Sequence, residues 1–106
     1  MTRVKVNSGA CGFESIIVLS KSEDSRFNIE IRSGCEMVKK LAEELKELEM
    51  MDAFKAIFNN PVFRASNNCL RHVSCPVPVA VLKALEVEAG LAVARNVKIE
   101  IHNEKN

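Results

Sequence analysis

Four cysteines and one histidine carry most of the reactive chemistry in this 106-residue chain: Cys11, Cys35, Cys69, His72 and Cys75. Thiolate and imidazole groups are the ligands that zinc takes from proteins, and thiolates hold iron-sulfur clusters. Cys69, His72 and Cys75 are spaced three residues apart, so that one loop can bring all three together. The sequence therefore predicts a metal site made either of four cysteines or of three cysteines and the histidine.

The identity of the fourth ligand and of the metal stays open. Cys11, Cys35 and Cys75 form the expected set, and either Cys69 or His72 completes it. Zinc and an iron-sulfur cluster both accept four thiolates, so the residue types do not separate them. Any one of these cysteines taken alone is more commonly a small buried apolar residue, and a solvated loop histidine is as common as a ligand.

The redox state of the cellular compartment decides whether the cysteines are free thiols or disulfides. The amino-terminal residues alternate polar with apolar side chains, unlike a secretion signal, and no apolar run approaches the roughly 20 residues of a membrane span. We therefore expect one cytoplasmic domain over residues 1–106, without a membrane partner. Structural disulfides are uncommon in a reducing compartment, so the cysteines are interpreted as metal ligands or working thiols.

Hydrophobic periodicity predicts an α+β fold. Period-two alternation indicates strands near Val4 to Val6, Glu14 to Leu19 and Phe27 to Ile31, which would form a three-stranded antiparallel meander. A final strand is predicted from the alternation of Val97, Ile99 and Ile101 with Lys98, Glu100 and His102. The expected architecture is one sheet with helices on one face.

Helices are predicted between the third strand and the last. One begins near Cys35 and carries Val38, Leu41, Leu45 and Leu48 at helical spacing. A short second helix follows Asp52 as N-cap and buries Phe54, Ile57 and Phe58. Pro61 opens a third helical segment and Pro78 a fourth.

This order of elements can gather the cysteines. In a meander, the turn after the first strand and the end of the third strand lie at the same end of the sheet, which places Cys11 near Cys35. Cys35 and Cys75 each precede a helix, and we expect the helix N-termini to lower their thiol pKa values.

Composition argues against a nucleic-acid partner. The net charge is only +1, with 15 Lys and Arg interleaved among 14 Asp and Glu, and the five Phe are accompanied by no Trp or Tyr. A basic stripe and stacking aromatics are both missing. The sequence leaves the oligomeric state and any protein partner open.

At Cys11-Gly12, Gly34-Cys35 and His72 to Cys75 the chain resembles the U-type iron-sulfur cluster scaffold proteins, which are similar to the amino-terminal domain of the nitrogen-fixation scaffold. The resemblance implies three strands followed by helices and a cluster site at these cysteines. Phe13 stands where that family has an acidic residue, and Cys69 is additional. Over its whole length the chain also resembles a small uncharacterised family of anaerobes and archaea, which implies no activity.

Three functions follow as hypotheses. The first is a protein without enzymatic activity that binds a metal or an iron-sulfur cluster, in the manner of a scaffold or carrier. The second is a thiol redox or sulfur-transfer protein that uses Cys35 or Cys75 as nucleophile. The third is a structural interaction module whose cysteines only pack.

Overall fold

An antiparallel sheet of four strands forms one layer of the molecule. The computed structural model describes residues 1–104, and its strands are β1 (Thr2–Asn7), β2 (Glu14–Lys21), β3 (Arg26–Ser33) and β4 (Glu47–Glu49), side by side in that order. Val4 lies opposite Ile17, which in turn lies opposite Ile31. The predicted α+β class and the antiparallel pairing of the first three strands are confirmed.

One face of this sheet is buried beneath the helices. Ile17 and Leu19 of β2 are fully buried, and Phe27, Ile29 and Ile31 of β3 are nearly so, while the alternate residues of β3 are exposed. The helices are α1 (Glu36–Glu44), α2 (Pro61–Cys69) and α3 (Val77–Glu88). α1 packs on β3 and α3 packs on β1 and β2, as expected for strands of period two with a single apolar face.

The predicted final strand is wrong, and the fourth strand lies elsewhere in the chain. α1 ends at Glu44, after which Leu48 points inward from β4 and pairs with Phe27. Residues 93–104 have no regular secondary structure, and Val97, Ile99 and Ile101 are exposed. Their alternation is strand-like, but no strand of the same sheet lies beside it within the described residues.

The predicted helix after Asp52 is also wrong. Residues 50–59 instead form two short 3-10 turns, in which Phe54, Ile57 and Phe58 are exposed. Asp52 is buried, and its carboxylate accepts a hydrogen bond from the Glu49 backbone N–H (2.8 Å). Asp52 is therefore the third residue of the first 3-10 turn, which it caps together with Glu49, and it is not the N-cap of a new helix.

Asn60 fastens this segment to the next helix. Its side chain is buried, accepts a hydrogen bond from the Val62 N–H (3.0 Å) and donates to the carbonyls of Asp52 (2.8 Å) and Lys55 (3.2 Å). Pro61 occupies the first turn of α2, where a backbone N–H is not needed. The helix start predicted at Pro61 is confirmed.

No helix in the described part of the chain is both long and apolar enough to span a membrane.

Replacing Asn60 with Ala is expected to lower the free energy of unfolding by about 2 kcal/mol, because the change removes a helix cap and leaves two carbonyls without their donor. Asn59→Ala, at the exposed neighbouring position, is the control and is expected to stay within about 0.5 kcal/mol of the wild type. Urea unfolding followed by circular dichroism measures both. Equal stability of the two variants would contradict this role of Asn60.

Candidate functional site

Cys11 lies in the turn between β1 and β2. The turn is a single 3-10 segment, Gly9–Cys11, in which Gly9 (φ 78°) and the following Gly12 (φ 77°) adopt the left-handed conformation that favours glycine. The Asn7 side chain accepts a hydrogen bond from the Gly9 N–H (3.0 Å). Cys11 is exposed at the tip of this turn.

Cys35 is the N-cap residue of α1 and follows β3 directly. Its backbone N–H donates to the hydroxyl of Ser33 (3.1 Å), and that hydroxyl also accepts a hydrogen bond from Ser15 on β2 (2.9 Å). Its carbonyl accepts the first helical hydrogen bond, from Lys39 (3.0 Å). The backbone of Cys35 is thereby fixed, and its side chain is buried.

The segments that carry Cys11 and Cys35 are in contact. A Cβ atom added to Gly34 would lie 3.3 Å from the Phe13 ring, so the ring packs directly over the glycine backbone. Phe13 follows the Cys11 turn, and Gly34 immediately precedes Cys35. The two cysteines therefore lie at one rim of the sheet, which we call the thiol rim.

The direction of α3 brings Cys75 to the thiol rim. Glu88, the last residue of α3, accepts a hydrogen bond from the hydroxyl of Thr2 (2.6 Å), so the helix ends where β1 begins. Twelve helical residues span about 18 Å, close to the length of a six-residue strand. The start of α3, and Cys75 before it, thus lies toward the end of β1.

Burial raises the pKa of the Cys75 thiol. A hydrogen bond from the Val77 N–H at the start of α3 acts in the opposite direction, while negative charge on Cys35 and Cys11 raises the pKa further. The start of α3 thus acts on the pKa in the predicted direction, but the predicted net lowering for Cys75 is wrong, because desolvation of the thiolate outweighs one backbone hydrogen bond. Because charge on Cys11 and on Cys35 affects the pKa of Cys75, both thiols lie within electrostatic range of the Cys75 thiol.

Cys69 has different surroundings. Its thiol is buried between α2 and α1, and burial together with a hydrogen bond to Glu44 raises its pKa. The other cysteines are not among the groups that influence it. His72 is exposed in the loop before α3, and its carbonyl accepts a hydrogen bond from the Cys75 N–H (3.1 Å).

The side chains do not form a finished ligand set. Among residues 1–104, no group of three or more His, Cys, Asp or Glu side chains is arranged to hold a metal ion. The structure thus places Cys11, Cys35 and Cys75 at one rim, His72 in the adjoining loop and Cys69 away from them. The donor chemistry suits a thiophilic metal, whereas the side-chain positions would have to converge further.

Sequence reasoning missed the residues that hold the thiol rim together. Ser15 and Ser33 lie opposite each other on β2 and β3 and tie Cys35 to the sheet, and the Phe13 ring covers Gly34. The sequence did contain a signal for the two serines. Both occupy inward-facing positions in strands whose other inward-facing residues are apolar. The contact between Phe13 and Gly34 has no such signal.

Thiol alkylation distinguishes these environments. At neutral pH we expect iodoacetamide to modify the exposed Cys11 first and to modify Cys69 and Cys75 more slowly, because burial keeps those two thiols protonated. Mass spectrometry of the reduced, metal-free protein over time measures the order. Urea-unfolded protein is the control, and its four cysteines should react at similar rates. Fastest labelling of Cys75 would contradict the assigned environment.

Comparison with known proteins corrects the family assignment. Residues 2–101 match the model of a family of unknown function, DUF6951. No curated protein and no solved structure matches the chain. The resemblance to U-type iron-sulfur scaffold proteins is therefore wrong: it depended on three short cysteine motifs, while the family model matches nearly the whole sequence. The chain belongs to the DUF6951 family.

Proposed function

We propose that this protein binds a thiophilic metal centre, zinc or an iron-sulfur cluster, through Cys11, Cys35 and Cys75. The observation that carries the proposal is the meeting of three chain segments at the thiol rim. These are the β1–β2 turn, the start of α1 and the start of α3. Thiols from three separate segments would be cross-linked by one metal, so binding would also stabilise the fold.

The three thiols differ in how freely they can adjust. Cys35 is buried and its backbone is fixed by Ser33, so its position is the most restricted. Cys11 is exposed in a turn flanked by two glycines, and Cys75 is partly exposed. We therefore expect Cys11 to move toward the other two when metal binds.

Electrostatics supports a cation at this rim. Negative charge on Cys35 and Cys11 raises the pKa of Cys75, so three thiolates without a cation between them would repel one another. A bound divalent cation reverses the sign of that interaction and stabilises all three thiolates. Binding would then displace thiol protons, as it does at other cysteine sites.

His72 is the better candidate for a fourth ligand. It is exposed, three residues before Cys75, and linked to it by a backbone hydrogen bond. Cys69 is buried, and its thiol is hydrogen-bonded to Glu44. Moving Cys69 to the rim would open the contact between α1 and α2, whereas moving His72 would disturb only a loop.

The other two hypotheses have less support. A catalytic thiol needs a lowered pKa, whereas the pKa of Cys75 is raised, and Cys35 is buried. A purely structural role would explain the burial of Cys35 and Cys69 but not why the exposed Cys11 lies beside two further thiols. A reducing compartment such as the cytoplasm would keep the three thiols available for metal.

The first test is the metal content of anaerobically purified protein. We expect about one zinc or one cluster per chain, with visible absorption and acid-labile sulfide only in the cluster case. Cys11→Ser, Cys35→Ala and Cys75→Ser should each weaken binding by more than about 100-fold, the upper range for loss of an outer-shell contact. Elemental analysis and competition with a chelator measure these changes.

Cys69→Ala is the matched control, because it removes a buried thiol that lies outside the rim. It should keep full metal content, and His72→Ala should reduce affinity. Wild-type protein that holds no metal or sulfide, takes up no added Zn²⁺ or Co²⁺ and shows four freely titrating thiols would refute the proposal.

Acid should release the metal. Protons compete for the thiolates, so we expect the unfolding midpoint of the loaded protein to fall between about pH 7 and about pH 5. The Cys11→Ser protein, without metal, is the control and should change little over that interval. Glu88 does not interfere with this test. The hydrogen bond from Thr2 lowers the pKa of the Glu88 carboxyl, so the stability that this carboxylate adds to the fold is lost only when the pH falls below 4.5, the ordinary pKa of the group. Equal pH dependence of both proteins would contradict metal stabilisation.

A further inference from the structure

The chain beyond α3 is an exposed arm, residues 91–104. It contains no helix or strand, and Val93, Val97, Ile99 and Ile101 are between 58% and 88% exposed. The molecule measures 55 × 28 × 25 Å, and its radius of gyration of 14.0 Å exceeds the value of about 13 Å typical of a chain this long. An arm that leaves the body of the molecule accounts for this elongation.

The arm has the sequence of a half-buried strand. Val97, Ile99 and Ile101 alternate with Lys98, Glu100 and His102, and all three apolar residues are β-branched. Lys98 pairs with Glu100 (2.6 Å), which keeps the polar side chains together on one side of the arm. The apolar side has no strand beside it in the described residues.

β1 offers a matching free edge. It lies at the margin of the sheet with β2 on one side only, and its inward residues Val4 and Val6 are only half-buried. Its six residues contain no Pro to block pairing. A cavity of about 1490 Å³ separates this edge from the arm, and its lining includes Val4, Val6, Val79, Val87, Val97 and Ile99.

We infer that the arm of one chain adds as a fifth strand to β1 of a second copy, and that the exchange is reciprocal. The arm and the β1 edge occur once in each chain, so a two-fold axis pairs both arms with both β1 edges. Main-chain hydrogen bonds along the edge supply the pairing, as in other cases of strand addition. The occupant of the cavity is therefore the arm of the partner copy.

The side chains define a register. With the arm antiparallel to β1, Ile99 lies opposite Val6 and Ile101 opposite Val4, so all four apolar side chains lie on the inward face. The same register sets Glu100 opposite Lys5 on the outer face, where opposite charges attract. This antiparallel alignment thus satisfies both the apolar alternation and the charge.

The test is the oligomeric state of the full chain, measured by sedimentation over a range of concentrations. We expect a dimer for the wild type. Replacing both Ile99 and Ile101 with Lys should yield a folded monomer with the same far-ultraviolet circular dichroism from the body of the protein. The control changes the polar side of the arm, Lys98→Ala with His102→Ala, and should remain dimeric.

Charge reversal tests the register. Glu100→Lys and Lys5→Glu should each raise the dissociation constant, and the two changes together should restore part of the affinity. Isotope-filtered NMR on mixed labelled and unlabelled chains should show contacts from the methyl groups of Ile99 and Ile101 to those of Val4 and Val6 in the other chain.

Three results would overturn the inference. The first is a wild-type monomer whose β1 amides are protected from hydrogen exchange, because the arm would then cover its own edge. The second is a monomer with β1 unprotected, since another kind of partner would then have to fill the cavity. The third is a dimer that persists when both isoleucines are changed to Lys. None of these outcomes depends on whether metal binds.

Discussion

Burial of one face of the meander beneath α1 and α3 is the constraint on which the other features depend. Ile17, Leu19 and Phe27 are at most 2% exposed, and the helix residues Leu41 and Leu85 that belong to the same core are fully buried. Since side chains alternate along a strand, a slip of one residue would turn this apolar set toward solvent. The register of β1, β2 and β3 is therefore fixed, and with it the positions of the hairpin turns and of the start of α1.

The thiol rim follows from that register. The β1–β2 turn and the end of β3 must lie together once the strands pair, and α3 must begin nearby because it ends beside Thr2. The same packing raises the pKa of the Cys75 thiol, because burial disfavours the charged thiolate. We therefore expect the Cys75 thiol to react slowly in the metal-free protein, which fits the proposed role of a metal ligand better than that of a catalytic thiol.

The core also determines what the body of the molecule leaves uncovered. β4 covers only part of β3, and β1 has no neighbour on its outer side within the described chain. Residues of the 3-10 turns, including Phe54 and Phe58, face solvent because the turn is closed by Asp52 and Asn60 and not by apolar packing. Exposed apolar side chains are thus concentrated in two places, these turns and the arm.

The sequence alone determined the elements with strong periodicity and clear end signals. The alternation of Phe27, Ile29 and Ile31 and the proline at position 61 were sufficient for β3 and the start of α2, because both depend on local geometry. The adjacency of Cys11 and Cys35 also followed, since antiparallel hairpins return the chain to the same rim. Tertiary structure alone decided where Leu48, Cys69 and Ile99 lie. An apolar side chain specifies that it should be buried but not against which surface, and burial, not position at a helix start, set the pKa of Cys75.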